Sequence, residues 1–278
     1  MLKVSVLMSV YKSEKAAHLY QALKSVWDDQ TLKPAQIVLI EDGELGQDLY
    51  EVIEQYKKVL GEQLCVCKNA TNVGLTKSLN IGLQHVTSEL VARMDSDDVS
   101  DAKRFERQVT YLIEHPDVDI IGGSLQEFDE DHECLNVRHY PLTPEEAVKY
   151  IPKASPLAHP SVMMRTRMFE NGLRYDERYR TSQDIQLWFD AIMSGYKIGN
   201  VPEVVLYFRR EGDVFKRRSK AKAKNEFKIY MHGIYRMKGL FTLSYRYPIA
   251  RYIFRNLPTW MVKKIYGSNL RNRVLQKK

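Results

Sequence analysis

A cluster of carboxylates follows a short apolar run in the first half of the chain. The run over residues 90–94 ends directly before Asp95, Asp97 and Asp98. Carboxylates two positions apart can converge on one cation once the chain turns, and hard oxygen ligands of this kind suit Mg²⁺ or Mn²⁺ carrying a diphosphate. Ser100 or Asp101 could instead simply cap the following helix, because such residues are common at helix starts, and capping would also be a sufficient reason for Asp98. The cluster therefore indicates a nucleotide-dependent enzyme, with a cap or turn as the alternative.

Elements that could position such a cluster recur along the first hundred residues. Apolar runs at 4–10, 37–40, 64–68 and 90–94 predict strands, and apolar residues at helical spacing predict helices between them. This alternation is typical of a parallel, doubly wound α/β sheet, whose ligand crevice lies at the carboxyl ends of the strands. The polar residues expected at these ends are Tyr11, Asp42, Asn72 and Asp95.

Seven segments form an ordered series over residues 3–210. They are 4–12, Glu41-Asp42-Gly43, the Asn-x-Gly pairs 72–74 and 80–82, Asp95-Ser96-Asp97-Asp98, 159–163 and 183–188. The series resembles the family 2 glycosyltransferases, inverting enzymes with the GT-A fold, and among them the bacterial transferases of amylovoran, O-antigen and capsule biosynthesis. The resemblance implies a GT-A catalytic domain over residues 1–214, with helices on both faces of a mostly parallel sheet. Residues 1–115 would be its nucleotide-binding half and 116–214 its acceptor-binding half.

The resemblance also implies donor-binding roles. Tyr11 would stack on the nucleotide base, although it could equally be a half-buried aromatic at a strand end. Asp42, with Glu41, would accept a hydrogen bond from a uracil N–H. Asp95 would reach the ribose or the cation, and Asp97 would bind the Mn²⁺ or Mg²⁺ ion that offsets the charge on the departing nucleoside diphosphate. The other expected nucleotide-binding residues are Asn72 and Lys77.

Asp184 is the candidate catalytic base implied by the same resemblance. Inversion needs one carboxylate to take the proton from the acceptor hydroxyl as its oxygen attacks the anomeric carbon. Gln183 stands where the family usually has Glu, which affects the expected acceptor contacts more than the chemistry. Asp184 could also act as the acid in the first turn of a helix, where a negative charge is favourable.

Basic side chains are further candidates for binding phosphate or acceptor. His159 could approach the phosphates or the metal, although a His beside a Pro is more often packed or lines the acceptor. Arginines after a predicted strand at 204–208 could close over the diphosphate from a mobile segment, or could form a solvated or membrane-facing basic run. These arginines are Arg209, Arg210, Arg217 and Arg218.

The C-terminal part of the chain is strongly basic. Residues 215–278 contain eighteen Lys or Arg and one acid, Glu226, so their net charge of +17 leaves −10 on residues 1–214 of a chain that totals +7. Aromatic and aliphatic residues follow helical spacing from Tyr245 to Leu257, which predicts a basic amphipathic helical tail. Such a tail suits an anionic membrane surface. It is not expected to span the bilayer, because no stretch approaches about 18 uncharged apolar residues.

Other partners could bind this tail. Basic aromatic segments also bind nucleic acid, and the tail could instead pack on the catalytic domain or form a homodimer. The membrane is favoured over nucleic acid because the implied enzyme needs a glycan acceptor, and bacterial glycans are commonly built on lipid carriers. The expected location is therefore cytoplasmic and peripheral, at the inner face of the bacterial plasma membrane. The expected donor is a nucleotide sugar, with UDP favoured by the resemblance.

Missing motifs argue against other enzyme classes. A dinucleotide oxidoreductase should carry Gly-x-Gly-x-x-Gly after its first strand, where this chain has Val10-Tyr11-Lys12-Ser13. A sugar nucleotidyltransferase should have a Gly-rich, Arg-containing loop at the same place, and this loop is also missing. This class of enzyme is the enzymatic alternative. Processive synthases of family 2 carry the motif Gln-x-x-Arg-Trp, which this sequence lacks. Transfer of a single sugar is therefore favoured. A non-enzymatic protein that binds membrane or nucleic acid is the alternative from a different class.

The cysteines predict neither a metal site nor a disulfide framework. Cys65, Cys67 and Cys134 match no zinc-binding pattern and form no even set. We expect Cys65 and Cys67 to face opposite sides of a strand. Three free thiols suit a reducing cytosol.

Overall fold

The structure is a computed structural model that describes residues 2–129, 133–210 and 220–257. Strands and helices alternate from the start of the chain. The strands are β1 (Val4–Val10), β2 (Gln36–Asp42), β3 (Leu64–Asn69), β4 (Leu90–Arg93), β5 (Val99–Ser100), β6 (Val118–Phe128), β7 (Cys134–Arg138), β8 (Met163–Arg165) and β9 (Lys197–Arg209). The helices are α1 (Ala16–Val26), α2 (Gln47–Leu60), α3 (Leu75–Leu83), α4 (Arg104–Glu114), α5 (Pro144–Tyr150), α6 (Arg167–Glu170), α7 (Gln183–Met193), α8 (Lys220–Lys238) and α9 (Arg246–Asn256).

The described strands form one sheet in the order β3-β2-β1-β4-β8-β6-β9-β5, with β7 paired to β6. The first four strands along the chain pair in parallel, and so do β6 and β9. Between these two groups, β8 runs antiparallel to both β4 and β6. The predicted α/β architecture with a mostly parallel sheet is confirmed.

The central strands are buried because helices pack on both of their faces. In β2, Leu39 belongs to one apolar cluster with residues of α1 and α2. The next residue, Ile40, lies on the opposite face against Gly82 of α3, where an added Cβ would come within 3.2 Å of the Ile40 side chain. A strand covered on both faces appears in the sequence as a continuous apolar run. For this reason the runs predicted β1, β2 and β4 correctly; the run at 64–68 also predicted β3, although this edge strand buries only Leu64.

The order of strands brings the expected site residues to one edge of the sheet. Tyr11 follows β1, Asp42 ends β2 and Asp95 follows β4, and β1 lies between β2 and β4. The three residues therefore leave the carboxyl ends of three neighbouring parallel strands. Asn72 lies further along, in the connection between β3 and α3.

The second half of the sheet differs from what the sequence predicts. The sequence predicts a strand at 204–208, whereas β9 begins at Lys197 and pairs along its length with β6. Gly122 and Gly123 interrupt the apolar pattern of β6 and hide it from periodicity. Glycine is needed at position 123 because an added Cβ would lie 2.6 Å from Cγ2 of Val205. The close approach of β6 and β9 therefore weakens the sequence signal of β6.

The expectation that Cys65 and Cys67 face opposite sides of a strand is wrong. Side chains alternate along a strand, so residues two positions apart share a face. In β3 the two Sγ atoms lie 3.8 Å apart. The pair is therefore one feature of the surface rather than two unrelated thiols.

By its contacts the chain divides into two units, residues 1–211 and 212–278. In the second unit α8 and α9 pack as a helical pair, with the rings of Phe227 and Tyr252 4.7 Å apart between centroids. The helix that the sequence predicts over 245–257 is α9, and the basic residues from 258 onward lie outside the described part of the chain. Across the described ranges, no helix has the length and apolar character to cross a bilayer.

Candidate active site

The acidic loop, residues 95–98, follows β4 at the carboxyl edge of the sheet. Asp95, Asp97 and Asp98 each bring one carboxylate oxygen within 4.8 Å of the others. Asp98 is buried: its Oδ1 accepts a hydrogen bond from the backbone N–H of Arg209 at 2.9 Å, and its Oδ2 has no hydrogen-bond partner among the described residues. The interpretation of Asp98 as a helix cap is wrong, because β5 separates the loop from α4.

The carboxylates of the acidic loop repel one another. Burial, together with the charges of Asp95 and Glu14, raises the pKa of Asp97 to about 7. Burial and the charges of Asp95 and Asp97 raise the pKa of Asp98 well above its ordinary value. Glu14, which the sequence analysis did not single out, also accepts a hydrogen bond from Ser96 Oγ at 2.8 Å. A divalent cation would relieve this repulsion, and three hard oxygen donors so close together fit Mg²⁺ or Mn²⁺.

Two buried arginines lie behind the acidic loop. Arg93, the last residue of β4, is 2% exposed and forms an ion pair with Asp95. Arg104 of α4 donates from Nη2 to the carbonyl oxygen of Arg93 at 2.8 Å and to that of Val162 at 3.2 Å. Burial and the charge of Arg93 lower the pKa of Arg104 to about 9. A charge inside an otherwise apolar strand is the signal that points to Arg93, which holds Asp95 in place.

Arg209 fastens the acidic loop instead of lying in a mobile segment above it. The residue is buried at the end of β9. Its Nε donates to the carbonyl oxygen of Asp97 at 2.8 Å, and its Nη2 donates to Gln21 Oε1 at 2.5 Å. Arg210 is likewise engaged, since its Nη1 lies 3.3 Å from Glu127 Oε2. The other two arginine candidates, Arg217 and Arg218, lie outside the described residues.

Asp42 is the centre of a hydrogen-bond network at the end of β2. Its Oδ1 accepts from the backbone N–H of Val73 at 2.8 Å and from Asn69 Nδ2 at 3.0 Å, and its Oδ2 accepts from the N–H of Gly74 at 2.9 Å. Asn72 donates from Nδ2 to the Asp42 carbonyl oxygen at 3.3 Å. Asp42 therefore fixes the loop before α3, and Asn72 takes part in the same contact.

The other donor-side candidates lie at the same edge or on α3. Glu41 is buried, and its Oε2 lies 3.1 Å from Lys68 Nζ. Tyr11 is 48% exposed, so its ring is accessible to solvent. Lys77 is exposed on α3.

Asp184 lies in the first turn of α7, after a strained residue. Ser182 precedes the helix with φ of +61° and is the one residue other than glycine with positive φ in the described ranges. Such left-handed conformations concentrate at functional sites. Burial raises the pKa of Tyr175; the charge of Arg93 opposes this, and the charges of Asp184 and Asp95 add to it. Asp184 and the acidic loop therefore act on the same phenol and lie in one region of the first unit.

His159 has a packed position. Its Nε2 lies 2.8 Å from the hydroxyl of Tyr175, and its ring centroid lies 6.0 Å from that of Trp188. Burial and the charge of Arg93 lower its pKa well below the ordinary value, so the imidazole is neutral. His159 is not one of the three residues of the carboxylate cluster. Gln183, expected to contact the acceptor, is buried at the start of α7.

Comparison with known proteins gives consistent matches. Residues 5–173 match the family described as Glycosyl transferase family 2. The chain is 31% identical to the amylovoran biosynthesis glycosyltransferase AmsE of Erwinia amylovora, over 94% of this chain and 97% of that protein. It is 28% identical to the UDP-Gal:alpha-D-GlcNAc-diphosphoundecaprenol beta-1,3-galactosyltransferase of Escherichia coli, over 97% of each.

A solved structure is similar over the whole chain. S. aureus TarS 1–349 in complex with UDP-GlcNAc superposes with a TM-score of 0.67 at 19% identity, and the match spans 76% of that protein. The chain spans 46% of a longer TarS structure. At this level of identity the match indicates a shared fold.

Proposed function

This chain belongs to glycosyl transferase family 2 and has the GT-A fold, and we propose that it transfers a single sugar, with inversion, from a UDP-sugar to a hydroxyl of a lipid-linked glycan. The relative AmsE is named for amylovoran biosynthesis, which supports a role in bacterial surface polysaccharide. The observation that carries the proposal is the acidic loop at the carboxyl edge of the sheet, with three carboxylates within 4.8 Å.

A divalent cation fits the acidic loop. Asp95 and Asp97 would hold Mn²⁺ or Mg²⁺, because carboxylate oxygens are the ligands these ions prefer. The buried Oδ2 of Asp98 has no hydrogen-bond partner in the described chain, so it too can accept a contact from the ion or its water. Acting as a Lewis acid, the bound cation would neutralise the charge that develops on the departing diphosphate.

Asp184 supplies the base for the transfer. As the acceptor oxygen attacks the anomeric carbon from the side opposite the diphosphate, the Asp184 carboxylate takes the hydroxyl proton. The bond between the anomeric carbon and the diphosphate oxygen breaks, and its electron pair stays with UDP. Arg93 and Arg209 act as positioning residues, since they hold Asp95 and the backbone of Asp97 in place.

Tyr11 and Asp42 are the residues proposed to bind the nucleoside. The exposed ring of Tyr11 offers a stacking surface for the base. Asp42 already accepts three hydrogen bonds from the protein. A carboxylate has about four lone-pair sites, so one further hydrogen bond from a uracil N–H is available to it. The UDP-GlcNAc complex of the similar TarS structure supports UDP as the nucleotide.

The second unit supports attachment to an anionic membrane. The connection between α8 and α9 presents Leu240, Phe241 and Leu243, which are 67%, 100% and 80% exposed. Exposed apolar side chains next to basic helices are typical of segments that insert into the surface of an anionic bilayer. The E. coli relative is named for an acceptor on diphosphoundecaprenol, which supports a lipid-linked acceptor and a location at the inner face of the plasma membrane.

An assay of the full chain tests the proposed reaction. Purified protein with Mn²⁺ is incubated with UDP-, GDP- and dTDP-sugars and a diphosphoundecaprenol-linked sugar, and the product is analysed by NMR. We expect transfer from a UDP-sugar, an inverted anomeric centre and loss of turnover in EDTA. Release of pyrophosphate from a nucleoside triphosphate and a sugar phosphate would identify a nucleotidyltransferase instead. Absence of turnover with all donors would overturn the proposal.

Liposome sedimentation tests the membrane attachment. The full chain should bind vesicles that contain anionic lipid, and high salt should leave a remainder held by apolar insertion. The double variant Phe241→Ser/Leu243→Ser should lose that remainder, whereas Val59→Ser, at an exposed apolar residue of α2, should retain it. Unchanged binding by the double variant would assign this connection to packing or dimerisation.

A further inference from the structure

A second group of metal-ligating side chains lies on β3 and after α3. The Sγ atoms of Cys65 and Cys67 lie 3.8 Å apart. One ligand atom from each of these thiols and from the imidazole of His85 lie within 4.8 Å of one another. The thiols are half-buried and His85 is exposed. The proposed transfer reaction uses none of the three.

Strand β3 and the end of α3 hold these residues together. Cys67 is paired in register with Ile40 of β2, and Ile40 faces Gly82 of α3. Both thiols therefore point to the side of the sheet on which α3 packs. His85 follows α3, where its N–H donates to the carbonyl oxygen of Gly82 at 3.0 Å and its own carbonyl oxygen accepts from Gln36 Nε2 at 2.9 Å. The backbone on both sides of the group is thus fixed by hydrogen bonds.

The two thiols lie in the middle of β3, where Cys65 and Cys67 pair with Val38 and Ile40 of β2, and His85 lies beside the start of β2. Gln36, which holds His85, is the first residue of β2, whereas Asp42 is the last. At about 3.3 Å per residue, Cys67, which pairs with Ile40, lies about 7 Å along the strands from Asp42. The group shares no residue with the acidic loop.

The distances suit a tetrahedral metal site. With metal–sulfur bonds of about 2.3 Å, two sulfurs of a regular tetrahedron lie about 3.8 Å apart, which is the separation found between Cys65 and Cys67. A nitrogen ligand at about 2.0–2.1 Å from the metal would lie about 3.6 Å from each sulfur. Rotation of the exposed His85 side chain between staggered conformations covers the remaining difference of about 1 Å. A disulfide would require the sulfurs to approach to about 2.05 Å.

We propose that Cys65, Cys67 and His85 bind a thiophilic divalent cation of the Zn²⁺ class, with water in the fourth position. On binding, each thiol gives its proton to solvent and coordinates as thiolate, and the imidazole coordinates through a neutral ring nitrogen. The ion then joins the edge strand β3 to the end of α3. Because it binds the folded state, it stabilises the first unit.

The two metal sites select different ions. Thiolate and imidazole ligands prefer Zn²⁺ and related ions, whereas carboxylate oxygens prefer Mg²⁺ or Mn²⁺. An excess of Mg²⁺ therefore occupies the acidic loop and leaves the Cys65, Cys67 and His85 site for the thiophilic ion. This difference allows the second site to be measured without any assay of sugar transfer, so its failure is distinguishable from failure of the proposed function.

Cobalt spectroscopy tests the site. Reduced full-length protein in excess Mg²⁺ is titrated with Co²⁺. We expect one equivalent to give a sulfur-to-cobalt charge-transfer band and the visible bands of tetrahedral cobalt, and one equivalent of Zn²⁺ to remove both. Cys65→Ser and Cys67→Ser should each remove the charge-transfer band or weaken Co²⁺ binding more than tenfold, and His85→Ala should weaken binding about tenfold or more. Cys134→Ser and Asp97→Asn are the matched controls and should keep the wild-type spectrum.

Thiol alkylation tests the site in the unaltered chain. With iodoacetamide and mass spectrometry, Zn²⁺ should slow modification of Cys65 and Cys67 at least tenfold and leave the rate at the exposed Cys134 unchanged. The third thiol serves as the control within the same molecule, so the result does not depend on how a variant folds. Equal rates with and without Zn²⁺, or a cobalt band that persists when both Cys65 and Cys67 are replaced by Ser, would overturn the proposal.

Discussion

Asp42 and Asp97 carry the same chemical group at the same edge of the sheet, but their surroundings differ. The Asp42 carboxylate accepts three hydrogen bonds from the protein, two of them from backbone N–H groups. Asp97 lies within 4.8 Å of two other carboxylates, and its pKa is raised to about 7 by burial and by the charges of Asp95 and Glu14. The protein alone satisfies Asp42, whereas a positively charged ligand would satisfy Asp97.

This difference separates a residue whose carboxylate mainly holds the site together, Asp42, from one whose carboxylate mainly binds a cation, Asp97. A carboxylate held by backbone N–H groups lowers the free energy of the folded chain, because those partly buried donors would otherwise lose their partner. Crowded carboxylates raise it, since their repulsion is relieved by a cation. Loss of Asp42 should therefore affect folding first, and loss of Asp97 should affect binding first.

Asp97→Ala gives the largest effect that we predict. The variant should lose Mn²⁺-dependent binding of UDP, measured by isothermal titration calorimetry, while its free energy of unfolding stays equal to that of the wild type or rises. Asp117→Ala, at a surface aspartate paired with Lys197, is the control and should bind UDP normally. If Asp97→Ala bound UDP with unchanged affinity, the metal assignment would fail.

Asp184→Asn tests whether the carboxylate of Asp184 acts only in proton transfer and not in binding the donor. The amide keeps the shape of the side chain but cannot take a proton, so transfer should fall by about 10²- to 10⁴-fold while the affinity for the donor is retained. Steady-state kinetics together with calorimetry of UDP binding separate the two effects. Wild-type turnover in this variant would move the role of base to another carboxylate.

Asp42→Ala tests the structural side of the comparison. Removal of the carboxylate leaves the N–H groups of Val73 and Gly74 without their acceptor, which should lower the free energy of unfolding by about 1.5–3 kcal/mol. Urea denaturation of Asp42→Ala and Asp97→Ala in the same metal-free buffer makes the measurement. Equal losses of stability in the two variants would contradict the distinction between them.

The sequence predicts the nucleotide-binding half of the fold well because its signals are local. The strands β1 to β4 are short runs rich in apolar residues, and chemistry-bearing residues follow within two positions, as Tyr11 and Asp95 show. Parallel pairing then brings those ends together without further information. The positions of β6 and β8 could not be predicted in this way, because glycines interrupt β6 and β8 is three residues long.

The support of the candidate site could not be predicted, because it depends on contacts between distant residues. Arg209 reaches Gln21, 188 positions earlier in the chain, and Arg104 reaches the carbonyl oxygens of β4 and of Val162. Nothing in the spacing of these residues indicates that they meet. The sequence showed which side chains could bind a ligand, and the tertiary structure showed which side chains hold them.

The smallest effect that we predict is a change in the pH dependence of stability, which also tests the difference between Asp97 and Asp42. The pKa of Asp97 is about 7 in the folded, metal-free chain and about 3.8 as a reference value. Between these pH values the folded state holds a proton that the unfolded state has released. The stability contributed by the neutral carboxyl is therefore complete below about pH 4, and it is lost as the pH rises through about 7. Asp97→Asn cannot ionise and should escape this loss.

The melting temperatures of wild type and Asp97→Asn, measured without divalent cations from pH 5 to pH 8, test this expectation. Because Asp97 interacts with the neighbouring carboxylates, part of the shift belongs to the cluster. We therefore expect Asp97→Asn to gain about 2–4 °C on the wild type over this range, which corresponds to about 1 kcal/mol. Mn²⁺ at pH 8 should raise the melting temperature of the wild type more than that of the variant. A difference that stays constant with pH would mean that Asp97 is already ionised at pH 5, and the acidic loop would then be satisfied by the protein in the same way as Asp42.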